Sequence, residues 1–314
     1  MRKNYDYDRK RFVQFGSPDR TFTHDGSRLA YVVMLYHSLE KGMCMPKPRP
    51  GFGQEKAENL LREIETCLAA GSSDAQIGSA LKVLMAYCDW QEERGHSLPA
   101  IQARVESLWR RVNQDKRFSE VSQGGRKEVN QQDLLFATQI DFERFVKSRH
   151  SIRNFTDREI EREAIERAVR IAQKSPSVCN RPSVRLHVYN NDERGKKILS
   201  IQQGNSGFGH LANKIFIVTS DLASFLSVGE RNQSWIDGGL FAMTFIYALH
   251  SQGIGTCCLN WSKTMDEDMS LREVVGISGG ENIIMLIVAG YPPESIHVPQ
   301  SYRPPLDTVL HFNT

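Results

Sequence analysis

The apolar residues of this chain change their spacing partway along, and that change limits the possible folds more than any other feature. From residue 27 to 112 they recur at three- and four-residue intervals: Leu29, Val32, Val33, Tyr36 and Leu39; then Ala57, Leu60, Leu61, Ile64 and Leu68; then Ile77, Leu81, Met85 and Cys88; then Ile101, Val105, Leu108, Trp109 and Val112. Each series lines one face of a helix, so this part predicts a small all-helical unit. Further on the pattern is mixed. Val184 to Tyr189 alternates like a half-buried strand, while KIFIVTSD (Lys214 to Asp221) and IIMLIVAG (Ile283 to Gly290) are short unbroken apolar runs suited to central strands. Helical patterns surround them. They cover Asp133 to Lys147, with Leu135, Phe142, Phe145 and Val146 available for burial; Glu161 to Lys174, stopped by Ser175-Pro176; and an apolar helix from Trp235 to His250. The expected organisation is a helical N-terminal extension over 1–112, a polar linker over 113–132 centred on Gly124-Gly125, and an α+β domain over 133–314.

Composition narrows the function classes. A formal net charge of +3 over 314 residues is too small for a nucleic-acid binder, and the basic residues of MRKNYDYDRKRF are interleaved with acids and lack a stacking platform. That N-terminus also lacks the apolar core of a secretory signal. WIDGGLFAMTFIYAL is too short and too polar at Asp237 to span a membrane. The six cysteines show no C-x-x-C spacing, which argues for reduced thiols and against a zinc site. Together these features predict a cytoplasmic protein with no metal centre.

The stretch SRHSIRNF (Ser148 to Phe155) carries candidate chemistry. In an extended segment side chains alternate, so Arg149, Ser151 and Arg153 would share one face. Two planar guanidinium forks and a hydroxyl suit a phosphate; on spacing alone, a solvated basic turn is the commoner reading of such a cluster. The features that follow come in a definite order: a helix, then SPSVCNRPSVRLHVY (Ser175 to Tyr189), an apolar helix, GIGTCCLNW (Gly253 to Trp261), VAGYP (Val288 to Pro292), and Arg303 beyond.

Over about residues 140–312 this order resembles the nitroreductase-like flavoprotein family. The resemblance implies a mixed sheet flanked by helices and noncovalent FMN at the interface of an intertwined homodimer. By position, Arg149, His150 and Ser151 resemble the phosphate and ribityl contacts, Arg153 points toward the pyrimidine end of the flavin, and Pro176, Ser177, Asn180 and Arg181 fall in the family's S-x-x-N-x-Q-P region. Cys258, Leu259, Asn260 and Trp261 match the loop whose backbone approaches the flavin ring, and Arg303 matches a late basic residue of the phosphate site. One departure stands out. The usual Gln is replaced by Pro182, which also lacks a backbone donor. Physical chemistry independently favours this arrangement, because a phosphate dianion needs several donors and a cation such as Arg153 would stabilise an anionic reduced ring.

The implied activity is an FMN-dependent oxidoreductase that takes electrons from NAD(P)H and passes them to a small organic substrate in two half-reactions. The N-terminal unit resembles that of members associated with surface-polysaccharide synthesis. A different class of function is an accessory module, flavin-binding or flavin-less, whose helical unit recruits a partner. Pro182 motivates that alternative. Elsewhere, YHSLEKGMCMPKPRPGFG (Tyr36 to Gly53) reads either as a lid over the flavin or as a packing turn. The vicinal Cys257-Cys258 pair, His210 and His250 read better as packing and structural groups than as redox or proton-transfer groups. QQGNSGFGH (Gln202 to His210) lacks the form of a phosphate loop, and Asp237 is a candidate helix cap or arginine partner.

Overall fold

The computed structural model describes residues 1–19, 22, 25–49, 51–115, 118, 124–301 and 303–313. Helix α1 (Arg2–Phe15) is followed by α2 (Asp25–Met43), α3 (Gln54–Ala69), α4 (Ala75–Glu92) and α5 (Pro99–Val112). Helices α2 to α5 bury the four predicted stripes in one core, with Leu39, Leu60, Leu61, Ile64, Ile77 and Leu81 fully inaccessible. Asp74 starts α4 by accepting a hydrogen bond from the Gln76 amide at 2.8 Å. Part of the expected linker lies outside the described residues. Of the rest, Phe118 is buried in the helical core, and Gly124 and Gly125 lie so close to α4 that a Cβ on either would clash with Lys82 or Ala86. Helix α1 does not join this core. Its Lys3 pairs with Asp266 and its Arg11 donates to Gly279 and Glu281 of the following domain.

The second unit is α+β. Four strands, β1 (Val184–Asn190), β2 (Lys214–Asp221), β3 (Gly255–Asn260) and β4 (Glu281–Gly290), form a sheet of order β1-β2-β4-β3. The strands pair antiparallel, and the parallel element is a single bridge from Ser151 to Thr256 at the β3 edge. The two unbroken apolar runs occupy the centre, because only strands covered on both faces can bury consecutive side chains. Around the sheet lie α6 (Gln131–Ala137), α7 (Phe142–Ser148), α8 (Arg162–Ala172), α9 (Glu193–Gln202), α10 (Gln233–His250) and α11 (Met265–Val275).

Two expectations change. The helix expected over Asp133 to Lys147 is two short ones, because the Asp141 carboxylate accepts from the Arg144 amide at 2.9 Å and starts a new helix there. Leu135 and Phe142, expected to be buried, are more than half exposed, although the Phe142 ring rests against Phe145 and Tyr247. The apolar helix is also not covered all round. Phe241, Phe245 and Leu249 of α10 face the sheet, while Trp235, Ile236, Leu240 and Met243 form an exposed stripe. Among the described residues no helix is long and apolar enough to cross a membrane.

Candidate functional site

The segment after α7 is held against the β3 edge by one backbone bond, Ile152 N to Thr256 O at 2.9 Å. Two bare glycines make room for it. Gly255 and Gly290 are register partners, and a Cβ at Gly255 would stand 2.8 Å from the Ile152 side chain, as one at Gly290 would from Phe155. With Ile152 and Phe155 buried over this gap, the intervening side chains turn outward: Ser151 half-buried, Arg153 exposed. Arg149 and Ser151 form no side-chain hydrogen bond or ion pair among the described residues. Arg153 places its guanidinium 5.7 Å from the Phe208 ring centroid. Burial pushes the Cys257 thiol pKa up, and the Arg153 and Arg149 charges oppose that rise. His150 is exposed beside them.

The β3 side contributes alternately. Leu259 and Trp261 face the core, and Cys258 and Asn260 face out. Trp261 is clamped: its indole N–H donates to Asp268 at 2.8 Å, Tyr7 of α1 donates to the other carboxylate oxygen at 2.8 Å, and Arg272 Nε binds that same oxygen at 2.6 Å. Burial alone would raise the Asp268 pKa, but the Arg272 charge and these donors hold it below the usual carboxylate range. Sequence reasoning missed Asp268, Tyr7 and Arg11. The box Thr264-x-x-Glu267, which does cap α11, was the one available signal, since it places Asp268 in the first turn.

Pro176, Ser177 and Asn180 lie elsewhere. They belong to a turn in which Cys179 (φ 49°) and Asn180 (φ 54°) are both left-handed. Such strain persists only where surroundings enforce it. Here Asp237 accepts from the Val178 amide at 3.2 Å and from Gln233 at 2.8 Å, so Asp237 neither caps α10 nor pairs with an arginine. Arg181 departs from its expected role. It is 1% exposed and engaged inside the chain, donating to Val178 O, to Ser224 O at 2.7 Å and to Glu230 at 2.5 Å, because an unpaired buried guanidinium would be costly. Pro182 leads into β1, where Ser183 bonds Ser220 Oγ at 2.9 Å.

The two groups sit at opposite ends of α10. Ser148 Oγ lies 2.8 Å from His250 Nε2 at one end, and the Val178 amide meets Asp237 at the other, about 20 Å away at 1.5 Å per residue. Burial, then the Arg149 charge, lowers the His250 pKa. Arg303 lies on the exposed tail, donating to Ser301 O at 2.8 Å. The segment Tyr36 to Gly53, the end of α2 and the turn after it, packs on its own unit as far as it is described: the Phe52 ring sits against Tyr87 and Trp90, and Gln91 donates to Phe52 O at 2.9 Å. Cys257 and Cys258 are free thiols, one buried and one exposed, and no metal-binding group occurs among the described residues.

The nitroreductase family's sequence profile matches residues 146–205 and 199–291, within the α+β unit. No curated protein matches the chain. Among solved structures, a nitroreductase from Desulfovibrio desulfuricans in complex with FMN aligns at 21% identity and TM-score 0.49, over 56% of this chain and 99% of that one. An FMN-dependent nitroreductase from Clostridium difficile aligns at 23% identity and TM-score 0.45, over 54% and 98% respectively. A nitroreductase family protein from Streptococcus pneumoniae gives 21% identity and TM-score 0.46, over 55% and 100%.

Proposed function

We propose that the α+β unit is an FMN-dependent oxidoreductase that works as a homodimer. The supporting observation is the division of the candidate cofactor residues between the two ends of α10, together with the exposed apolar stripe of Trp235, Ile236, Leu240 and Met243. Antiparallel packing of α10 against a second copy would bury that stripe. It would also carry the Arg149 end of one protomer to the Asn180 end of the other, so the site would be complete only between subunits.

The donor set fits FMN. Arg149 and Ser151, without partners of their own, are free to hold the phosphate by charge-assisted hydrogen bonds. Arg153 supplies the cation toward the ring, while the outward faces of Cys258 and Asn260 line the sheet edge. Asn180, held in the left-handed region by the Asp237 clamp, presents a free amide from the second copy. Arg303, on the tail, adds a further cation to the phosphate end. When bound, FMN supplies a two-electron carrier between a nicotinamide donor and an organic acceptor. The chain's own residues bind it, orient it and exclude water.

The visible spectrum tests this reading directly. The purified protein is expected to be yellow, to bleach with NADH or NADPH, and to recover with a quinone acceptor. A colourless protein that takes up no added FMN refutes the proposal.

A further inference from the structure

A cavity of about 800 Å³ lies beside the contacts of α2 with the α+β unit, within the size range of small-molecule sites. Its two walls differ. Leu29, Ala30 and Val33 of α2 line the helical side, where Tyr36 donates to Gln76, and Phe241 of α10 adds apolar surface from the α+β side. The other side presents Gln173, Ser177, Asn180 and Ser224, whose side chains make no hydrogen bond among the described residues. The charged groups around it are already committed. Asp237 is held by Val178 and Gln233, Asp221 accepts from the Ala223 amide at 3.0 Å and faces Arg185 at 3.6 Å, Asp74 caps α4, and Arg181 is engaged as described. Three carboxylates thus face two guanidiniums, so an anion would find no free cation there.

We propose that this cavity seats the second substrate, and that α2 supplies its specificity wall. The substrate class is an uncharged organic molecule with hydroxyl or carbonyl groups on its rim and an apolar face. Those groups would meet the Gln173 amide and the Ser177 and Ser224 hydroxyls, with Asn180 left to the flavin, and the apolar face would lie on Leu29 and Val33. The inference rests on the flavin reading in one respect: the Ser177–Asn180 turn belongs both to this cavity and to the cofactor site. The N-terminal unit is then part of the site, since without it the polar wall would open to solvent.

The test uses the full-length protein and menadione, with a sulfonated naphthoquinone as the charged counterpart. Binding is measured by equilibrium dialysis with and without added FMN, and KM by NAD(P)H oxidation. The expected result is tighter binding of menadione than of the sulfonate, by about tenfold. Leu29→Trp, which fills the cavity from the α2 side, should weaken menadione binding and raise its KM by about tenfold. Gln173→Met removes one polar group from the opposite wall, and about a threefold loss is expected. It carries the test if Leu29→Trp lowers the far-UV helix signal. Equal binding of the two quinones, or a folded Leu29→Trp protein with menadione binding and KM within twofold of the parent, overturns the inference even if FMN turnover is normal. Absence of FMN binding with menadione still lost in Leu29→Trp would refute the flavin reading and leave the site.

Discussion

Replacing Asp268 with alanine removes the acceptor on which Trp261, Tyr7 and Arg272 converge. Asp268 is 8% exposed and Arg272 9%, so the guanidinium would be left buried opposite a void, although it would keep Ser278 O and Glu281 O as acceptors. Breaking a buried pair by deleting one partner costs about 3–5 kcal/mol. The Trp261 indole N–H becomes a buried donor without a partner, at about 1–3 kcal/mol, whereas the half-buried Tyr7 hydroxyl can turn to water at little cost. The terms overlap, since the cavity admits solvent, and a total of about 5 kcal/mol is expected. That is a large share of the roughly 5–15 kcal/mol that stabilises a folded protein. Urea unfolding monitored by near-UV circular dichroism is the assay, and at a slope of about 3 kcal/mol/M the midpoint should fall by about 1.7 M. Asp268→Asn should fall between, because it keeps an acceptor for Trp261 but turns an N–H toward Arg272. Pairing Asp268→Leu with Arg272→Met should recover most of the loss, as replacing both charges often does. A loss below about 1 kcal/mol in Asp268→Ala would refute the assignment of this carboxylate as the common anchor of α1, α11 and the loop after β3.

Arg149→Ala should weaken FMN binding by about 10–150-fold, the loss of one charge-assisted contact of about 1.5–3 kcal/mol, read by fluorescence titration of FMN into the apoprotein. Gly255→Val should displace Ile152, destabilise the protein by about 1–3 kcal/mol and release flavin while far-UV circular dichroism stays unchanged; unchanged flavin content would count against the bare-glycine argument. Leu240→Glu, on the exposed stripe of α10, should shift the protein toward monomer in sedimentation and lose flavin together with the dimer. The carboxyls of Asp268 and Glu281 are both depressed despite burial, Glu281 by hydrogen bonds from His187 and Thr219. Their contribution is therefore full above the ordinary carboxylate pKa of about 4 and is lost as pH falls through the lower folded values. Acid titration of Asp268→Asn should show a smaller loss of stability below about pH 4 than the parent does.

The sequence by itself determined the helical stripes and the two central strands, while α1, α9, α11 and the edge strand β3 left too weak a period to be read. The four helical stripes became one core, and both unbroken apolar runs became central strands, because periodicity records which faces a segment must bury. Alternation put Arg149, Ser151 and Arg153 on one face, but only the fold shows that this segment lies along β3 through the Ser151–Thr256 bridge. Tertiary structure decided what each polar group is free to do. Arg181 and Asn180 are neighbours in the same turn, yet one is buried against Glu230 and the other offers a free amide, and nothing in local spacing separates them. Likewise, only the folded chain shows that α1 reaches across to Asp268, that the Arg149 and Asn180 groups stand at opposite ends of one helix, and that α2 walls a cavity beside the second. Hydrogen-bond commitment and burial depend on partners far away in the chain, and period carries no information about those partners.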